Sequence, residues 1–194
     1  MQNEGSIEQS LISLYDQLHN NSLTNTQEIT DALLNIYAEP DAIQALLSLM
    51  QHSNSFVKKQ ACIGLKLLFQ NFSRNVHPTQ YADIWATLFA LAMNELNPDF
   101  FEILLLPMIE LFAITNGNWG SIHKFISTTI KNNPRKGLQI VSSLLPYLDL
   151  QYSIDNESYF SAIIEFGLSL EDKLSTFDFT FQVFYVIAHN LIQS

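Results

Sequence analysis

The sequence predicts an all-α fold, an α-solenoid of about five stacked helical hairpins. Apolar residues recur every three or four positions along almost the whole chain, which is the period of an amphipathic helix rather than of a strand. Glycine and proline are few and lie mostly at the junctions between these periodic stretches. The hairpins begin about 34 to 41 residues apart, a spacing typical of helical repeat proteins. The predicted hairpins cover residues 6–38, 39–73, 77–116, 118–149 and 155–193.

Capping residues and prolines mark where the helices begin. Ser6 and Asn97 are predicted N-caps, because their side-chain oxygens can accept hydrogen bonds from the first unpaired N–H groups of a helix. Pro40 and Pro98 are placed in a first helical turn, where the missing N–H does no harm. Pro107 is expected to bend its helix near the middle. Ten helices are predicted, at about 6–19, 26–37, 40–51, 54–69, 77–95, 97–111, 119–131, 134–148, 157–168 and 176–191.

The helix near 54–69 has two sides of different composition. At about 100° per residue, its apolar positions fall on one side and its polar positions fall opposite. The apolar side consists of Val57, Ala61, Leu65, Leu68 and Phe72. The opposite side carries Lys59, Ile63, Lys66 and Gln70. Elsewhere, the predicted inward residues are Ile7, Leu11, Leu14 and Leu18 in the first helix, and Phe101, Leu104, Leu105, Met108 and Leu111 in the sixth.

Charge is distributed unevenly along this acidic chain. Residues 1–57 hold seven acids and no lysine or arginine, residues 58–136 hold five acids against eight bases, and residues 137–194 hold seven acids and one base. An acidic surface repels nucleic acid and anionic lipid, so we expect a basic protein partner, no nucleic acid and no membrane partner. A simpler interpretation is that the acidic excess keeps the protein in solution.

Other features predict the compartment. The apolar runs are shorter than the roughly 20 residues that a membrane span needs, and the first residues do not resemble a secretory signal. A single cysteine fits a reducing compartment. We therefore expect a monomer in the cytoplasm and nucleus. Because no polar capping repeat follows the last apolar turn, we also expect this chain to be the N-terminal part of a longer protein.

No catalytic pattern is found, so we expect no enzyme activity and no cofactor. The five histidines have no metal-ligand spacing, and the six glycines form no phosphate-binding loop. Cys62 lies within an apolar helix and is interpreted as a structural residue. Trp85 and Trp119 are interpreted as core residues, and the pair Glu171 and Asp172 as charges of a loop or helix start.

The helix near 54–69 resembles the second helix of a HEAT repeat. HEAT repeats carry a Val-Arg pair, an alanine three residues after the arginine, and a leucine four residues further on. The matching residues here are Val57, Lys58, Ala61 and Leu65.

A narrower resemblance is to the importin-β family of nuclear transport receptors. Gln60–Lys66 is similar to the Ala-x-x-x-Leu-Lys signature near the N-terminus of that family. Asn118–Ile126 resembles the Trp-Pro-Glu-Leu segment that starts a following repeat, and Gly137–Leu144 resembles the helix paired with it. The junction Tyr37–Ala42 also suits the second repeat of the family. The resemblance covers about residues 20–150 and implies a HEAT-repeat α-solenoid.

What the resemblance implies is binding rather than chemistry. In importin-β relatives the second helices line a concave face, the N-terminal repeats bind the GTP-bound small GTPase Ran, and cargo binds elsewhere along the arch. The candidate contact residues in this chain lie opposite the apolar sides of two second helices. They are Lys59, Ile63, Lys66 and Gln70 in one helix, and Asp99, Glu102, Leu106 and Glu110 in the next. Judged without the resemblance, these residues form an ordinary solvated helix surface.

The implied function is that of a nuclear transport receptor segment that binds Ran-GTP or a basic protein cargo, or both. The alternative is a cytosolic HEAT scaffold or adaptor with no GTPase partner, and a helical enzyme with an unrecognised site comes third. Three departures from the family pattern leave the partner contacts open. Leu67 stands where the family usually has asparagine, Lys58 where it has arginine, and Gly120 where proline is common.

Overall fold

The computed structural model describes residues 4–20, 26–115, 136, 137, 139, 140 and 143, and every regular element within them is helical. The all-α prediction is therefore confirmed for this part of the chain. The helices are α1 (Glu4–His19), α2 (Thr26–Tyr37), α3 (Ala42–Leu49), α4 (Ser55–Phe72), α5 (Tyr81–Asn94) and α6 (Pro98–Ile114). None of these helices combines the length and the apolar character needed to cross a membrane.

The chain divides into two compact units, Met1–Leu111 and Phe112–Ser194, and the first contains nearly all the described residues. The predicted hairpins at 118–149 and 155–193 lie almost wholly outside the described part of the chain. Within the first unit, each of the helices α1 to α4 contacts the other three. Two stacked hairpins and a four-helix bundle share this arrangement, so the solenoid remains a prediction.

The first helix differs from its prediction at its start and on its inward side. α1 begins at Glu4, so Ser6 lies inside the helix and the predicted Ser6 N-cap is wrong. The buried line of α1 runs through Leu11 and Tyr15, which are four residues apart and completely inaccessible. The other three predicted inward residues, Ile7, Leu14 and Leu18, are only half-buried.

α3 begins later than the sequence predicts. Pro40 lies in a turn before the helix rather than in its first turn, because the chain first closes a turn in which the Ala42 N–H donates to the Glu39 carbonyl at 3.1 Å. The helix is short and apolar on nearly every side, which is typical of a helix enclosed by others. Its buried residues are Ala42, Ile43, Ala45, Leu46, Leu47 and Leu49.

α4 has the predicted orientation and begins at the predicted place, but it ends at Phe72, three residues beyond the predicted end at 69. Asn54 is the N-cap, and its side-chain oxygen accepts a hydrogen bond from the Phe56 N–H at 2.9 Å. The predicted inward residues are buried except Phe72, which is half-buried at the end of the helix. The buried residues of α4 are Val57, Ala61, Cys62, Gly64, Leu65, Leu68 and Phe69.

Two buried tyrosines and a glycine fix α4 against α2. The hydroxyl oxygens of Tyr15 and Tyr37 lie 3.2 Å apart in a buried hydrogen bond. Gly64 lies beneath the Tyr37 ring, and a Cβ atom at position 64 would be 2.7 Å from the Tyr37 hydroxyl oxygen and 3.0 Å from Leu46 Cδ2. Only glycine allows the two helices to approach this closely. This contact sets the orientation of α4 and therefore of its opposite side.

A 3₁₀ turn, Pro78–Gln80, precedes α5. The predicted helix start at His77 and Pro78 is thus a capped turn, in which the His77 N–H donates to Gln80 Oε1 at 3.2 Å. Trp85 is completely buried in α5, as the sequence predicts.

α6 is capped as predicted, since the Asn97 side-chain oxygen accepts a hydrogen bond from the Asp99 N–H at 3.0 Å. The helix continues through Pro107, and the bend remains a prediction. Of the five predicted inward residues, Leu105 is half-buried and the other four are buried.

Candidate functional site

The first half of the candidate surface lies on the outer side of α4. Lys59, Ile63, Lys66 and Gln70 follow the three-and-four spacing that places side chains along one side of a helix. Lys59 and Lys66 are half-buried, whereas Gln70 is exposed. The exposed fraction of Ile63 is 37%. An aliphatic side chain flanked by two lysines is therefore open to solvent.

The second half lies on α6, where Asp99 and Glu102 are exposed and Leu106 and Glu110 are half-buried. This side of α6 is acidic with one aliphatic residue, whereas the outer side of α4 is basic with one aliphatic residue. Surfaces of this mixed kind occur at protein interfaces that form and dissociate, in which an apolar centre has a polar rim.

A hydrogen bond joins the two halves. The Gln70 side-chain amide donates to Glu110 Oε1 at 2.5 Å, although the two residues are 40 positions apart in the sequence. Both residues were predicted contact residues on the strength of the family resemblance, but their contact with each other was not predicted. At this point the structure brings the two predicted sets together.

Lys58 makes a second link that the sequence did not reveal. Its Nζ lies 4.0 Å from Glu95 Oε2 and 4.9 Å from the centre of the Phe100 ring. Glu95 is the C-cap of α5 and Phe100 lies in the first turn of α6, so this lysine links α4 to the segment between α5 and α6. Both side chains of the ion pair are half-buried, at a Nζ–Oε2 distance that is long for an ion pair, so the pair contributes little. A cation above an aromatic ring contributes about 0.5–1 kcal/mol. The only sequence signal for this contact is that position 58 carries a lysine where HEAT repeats carry an arginine.

The basic residues of the first 115 positions are confined to a short stretch. Every lysine and arginine among them lies between residues 58 and 74. They are Lys58, Lys59, Lys66 and Arg74. α4 and the 3₁₀ turn after it, Ser73–Asn75, therefore carry all the fixed positive charge of a unit that is otherwise acidic.

Other features of the described residues offer little for catalysis. Burial raises the pKa of the Cys62 thiol to about 12, so this cysteine stays protonated and unreactive at neutral pH. No group of three His, Cys, Asp or Glu side chains within this part of the chain could hold a metal ion. Trp119, Glu171 and Asp172 lie outside the described residues.

An open groove follows the outer side of α1, which the sequence did not suggest. Polar side chains and one isoleucine line it, namely Gln9, Ile12, Ser13, Asp16, Gln17 and Asn20. No lining residue is a strong nucleophile or a cation.

Comparison with known proteins gives no match to a protein-family model, to a curated protein or to a solved structure.

Proposed function

We propose that this chain is a HEAT-type array of helical hairpins that acts by reversible protein binding. In the specific form that the sequence resemblance favours, it is a nuclear transport receptor segment that works in the cytoplasm and nucleus and binds Ran-GTP, a basic protein cargo, or both. The partner contacts the outer side of α4 and the acidic side of α6.

The packing of the helices is compatible with a hairpin array, and α1 with α4 and α2 with α3 are also in contact. α1 contacts α2 and α3 contacts α4, as partners within a hairpin do. The first helices of the two hairpins, α1 and α3, also contact each other, and so do the second helices, α2 and α4. Stacked hairpins produce both kinds of contact, because each repeat buries its core against the next. The Lys58 and Gln70 contacts extend the same order from α4 to α6.

The observation that carries the proposal is the hydrogen bond between Gln70 and Glu110. It holds the outer side of α4 beside the acidic side of α6, so that one partner can contact both helices. A partner that spans two hairpins would respond to a change in the angle between them. In an array whose repeats contact only their neighbours, a coupling of about 1–3 kcal/mol between two such partners is ordinary. Ran-GTP would in this way compete with cargo.

The alternative function is a cytosolic HEAT scaffold that assembles protein complexes without a GTPase. One observation favours it. Lys58 occupies the position of the family's arginine and is engaged inside the chain by Glu95 and Phe100. This residue therefore serves the stacking of hairpins, which every scaffold of this type requires.

A pull-down with Ran tests the proposal. Ran loaded with a non-hydrolysable GTP analogue should be retained by the wild-type chain, and Ran loaded with GDP should not be. Lys66→Glu should abolish this retention and leave the thermal melt unchanged, because the half-buried Lys66 side chain lies on the outer side of α4. Arg74→Glu is the matched control, since it makes the same charge change outside the candidate surface. If the wild type ignores both forms of Ran, the receptor function is wrong and the scaffold takes its place.

A further inference from the structure

We infer that the basic face of α4, defined by Lys59, Ile63 and Lys66, binds an acidic helical segment of a partner protein that places an aliphatic side chain over Ile63. This inference rests on the proposed protein-binding function. It assigns the basic face of α4 to an acidic segment of the partner and leaves the acidic side of α6 to basic residues of the same partner or of a basic cargo.

The two lysines of this face are partly exposed to solvent. Among the residues that the structure describes, Lys58 pairs with Glu95, whereas Lys59 and Lys66 form no ion pair. They are also two of only four fixed cations in the first 115 residues, in a chain whose net charge is −10. Opposite charge across an interface raises the association rate and selects the partner, so an acidic segment fits this face best.

The geometry of the face indicates a helical partner. Lys59 and Lys66 are seven residues apart, which is close to two helical turns and about 10 Å along the axis. Ile63 lies between them and exposes 37% of its surface. A helix with two acids seven residues apart and a leucine between them would match both charges and cover the isoleucine.

Nucleic acid fits this face less well. The bond from Gln70 fixes the Glu110 carboxylate beside the end of the face, and Asp99 and Glu102 on α6 are exposed. A nucleic acid carries a negative charge at every phosphate and would meet these acids, whereas the two acids of the proposed segment would meet only Lys59 and Lys66. Phosphate would also leave Ile63 uncovered, whereas an apolar side chain would remove it from water.

The test is fluorescence anisotropy with the full chain and a labelled helical peptide of about 20 residues. The peptide carries two glutamates seven residues apart with a leucine between them, and the control peptide has the same composition in scrambled order. The peptide should bind more tightly than its scrambled control. Ile63→Ser should weaken binding about tenfold, because an aliphatic contact is lost. The double variant Lys59→Glu with Lys66→Glu should weaken it at least as much, whereas Arg74→Glu should change it less than about twofold.

Each of three results in the binding assay would overturn the inference. Equal binding of the scrambled peptide, or an equal loss in Arg74→Glu, would mean that only general charge attraction operates. Tighter binding of poly(U) RNA than of the peptide, lost in the same double variant, would mean that the face binds nucleic acid.

The Ran pull-down separates this inference from the receptor function. Ran retention with no peptide binding rejects the acidic segment alone, whereas peptide binding at the face without Ran retention rejects the GTPase partner alone.

Discussion

On the inner side of α4, Ala61 and Leu65 are completely buried, and Gly64 lies so close to Tyr37 that no side chain fits between them. On the outer side, Ile63 is exposed and two lysines flank it. The inner side of α4 is therefore constrained by close packing, whereas the outer side is characterised by its positive charge. Substitutions on the inner side should change the free energy of unfolding, and those on the outer side should change binding. The following predictions test this division from the largest expected effect to the smallest.

The largest effect is expected for Leu65→Ala. Leu65 is completely buried, and its truncation leaves a cavity that costs about 2–5 kcal/mol in the free energy of unfolding. Urea denaturation followed by circular dichroism measures the loss. Leu67→Ala is the matched control, because Leu67 is only half-buried two residues away in the same helix. Equal losses in the two variants would show that α4 does not have one inner side and one outer side.

Gly64→Ala should destabilise the protein by about 1–3 kcal/mol, because the new methyl group would overlap the Tyr37 ring. At an exposed position in the middle of a helix, the same change stabilises a protein by about 1 kcal/mol. A decrease in the free energy of unfolding would therefore indicate the close contact between position 64 and Tyr37. Denaturant unfolding of the single variant and of Gly64→Ala with Tyr37→Phe measures it. The second change removes the nearest atom, so the double variant should lose less than the sum of the two single losses. A stabilised Gly64→Ala would contradict the close approach.

Tyr37→Phe should destabilise the protein by about 1–2 kcal/mol at neutral pH, because the Tyr15 hydroxyl loses a buried partner. The variant also tests a pH dependence. Burial raises the pKa of Tyr15 and of Tyr37 above the ordinary value of 10.0. The stability that these protonated groups provide is fully present below about pH 10, and it is lost as the pH rises through the raised values, because the unfolded state releases protons first.

Urea denaturation of wild type and Tyr37→Phe at pH 7 and at pH 10.5 to 11 measures both effects. The loss of stability at the higher pH should be smaller in the variant, which has one buried phenol fewer. Tyr81→Phe, at the start of α5 and outside the pair, is the control. If the wild type and Tyr37→Phe lose stability equally as the pH rises, the tyrosine pair is not the cause.

The smallest effect on stability is expected for Lys66→Glu, at about 0.5 kcal/mol or less, because the lysine has no ion-pair partner among the described residues. Thermal denaturation at low and at physiological salt measures it. The contrast with Leu65→Ala, one position away, is the sharpest form of the comparison between the two sides. A loss above about 1 kcal/mol would mean that Lys66 belongs to the core and not to a binding face.

The sequence predicted the parts of the fold that depend on local signals. The bounds of α2 and the Asn97 cap of α6 follow from hydrophobic spacing and from a side chain that bonds to the nearest backbone N–H groups. The inner and outer sides of α4 follow from the same spacing. Such signals act over about four residues, so they can be read without knowledge of the rest of the chain.

The sequence failed where distant residues decide the outcome. Ser6 is a good N-cap residue, yet α1 begins before it. The pairing of Tyr15 with Tyr37 depends on how α1 packs against α2. The bond from Gln70 to Glu110 likewise depends on how α4 and α6 lie together. The bond from Gln70 to Glu110 was therefore not predictable from the sequence, and the binding role of the two sets of candidate residues stays a prediction.

Because residue 64 is a glycine packed against Tyr37, the substitutions that evolution can accept at these two positions are limited. The space there is filled by the Tyr37 ring, so the two positions share one fixed volume. Any relative of this chain that acquires a larger residue at one position would have to acquire a smaller one at the other, and the two changes would be inherited together. Paired substitution at these two sites is therefore the evolutionary trace by which homologues of this helix pair could be recognised.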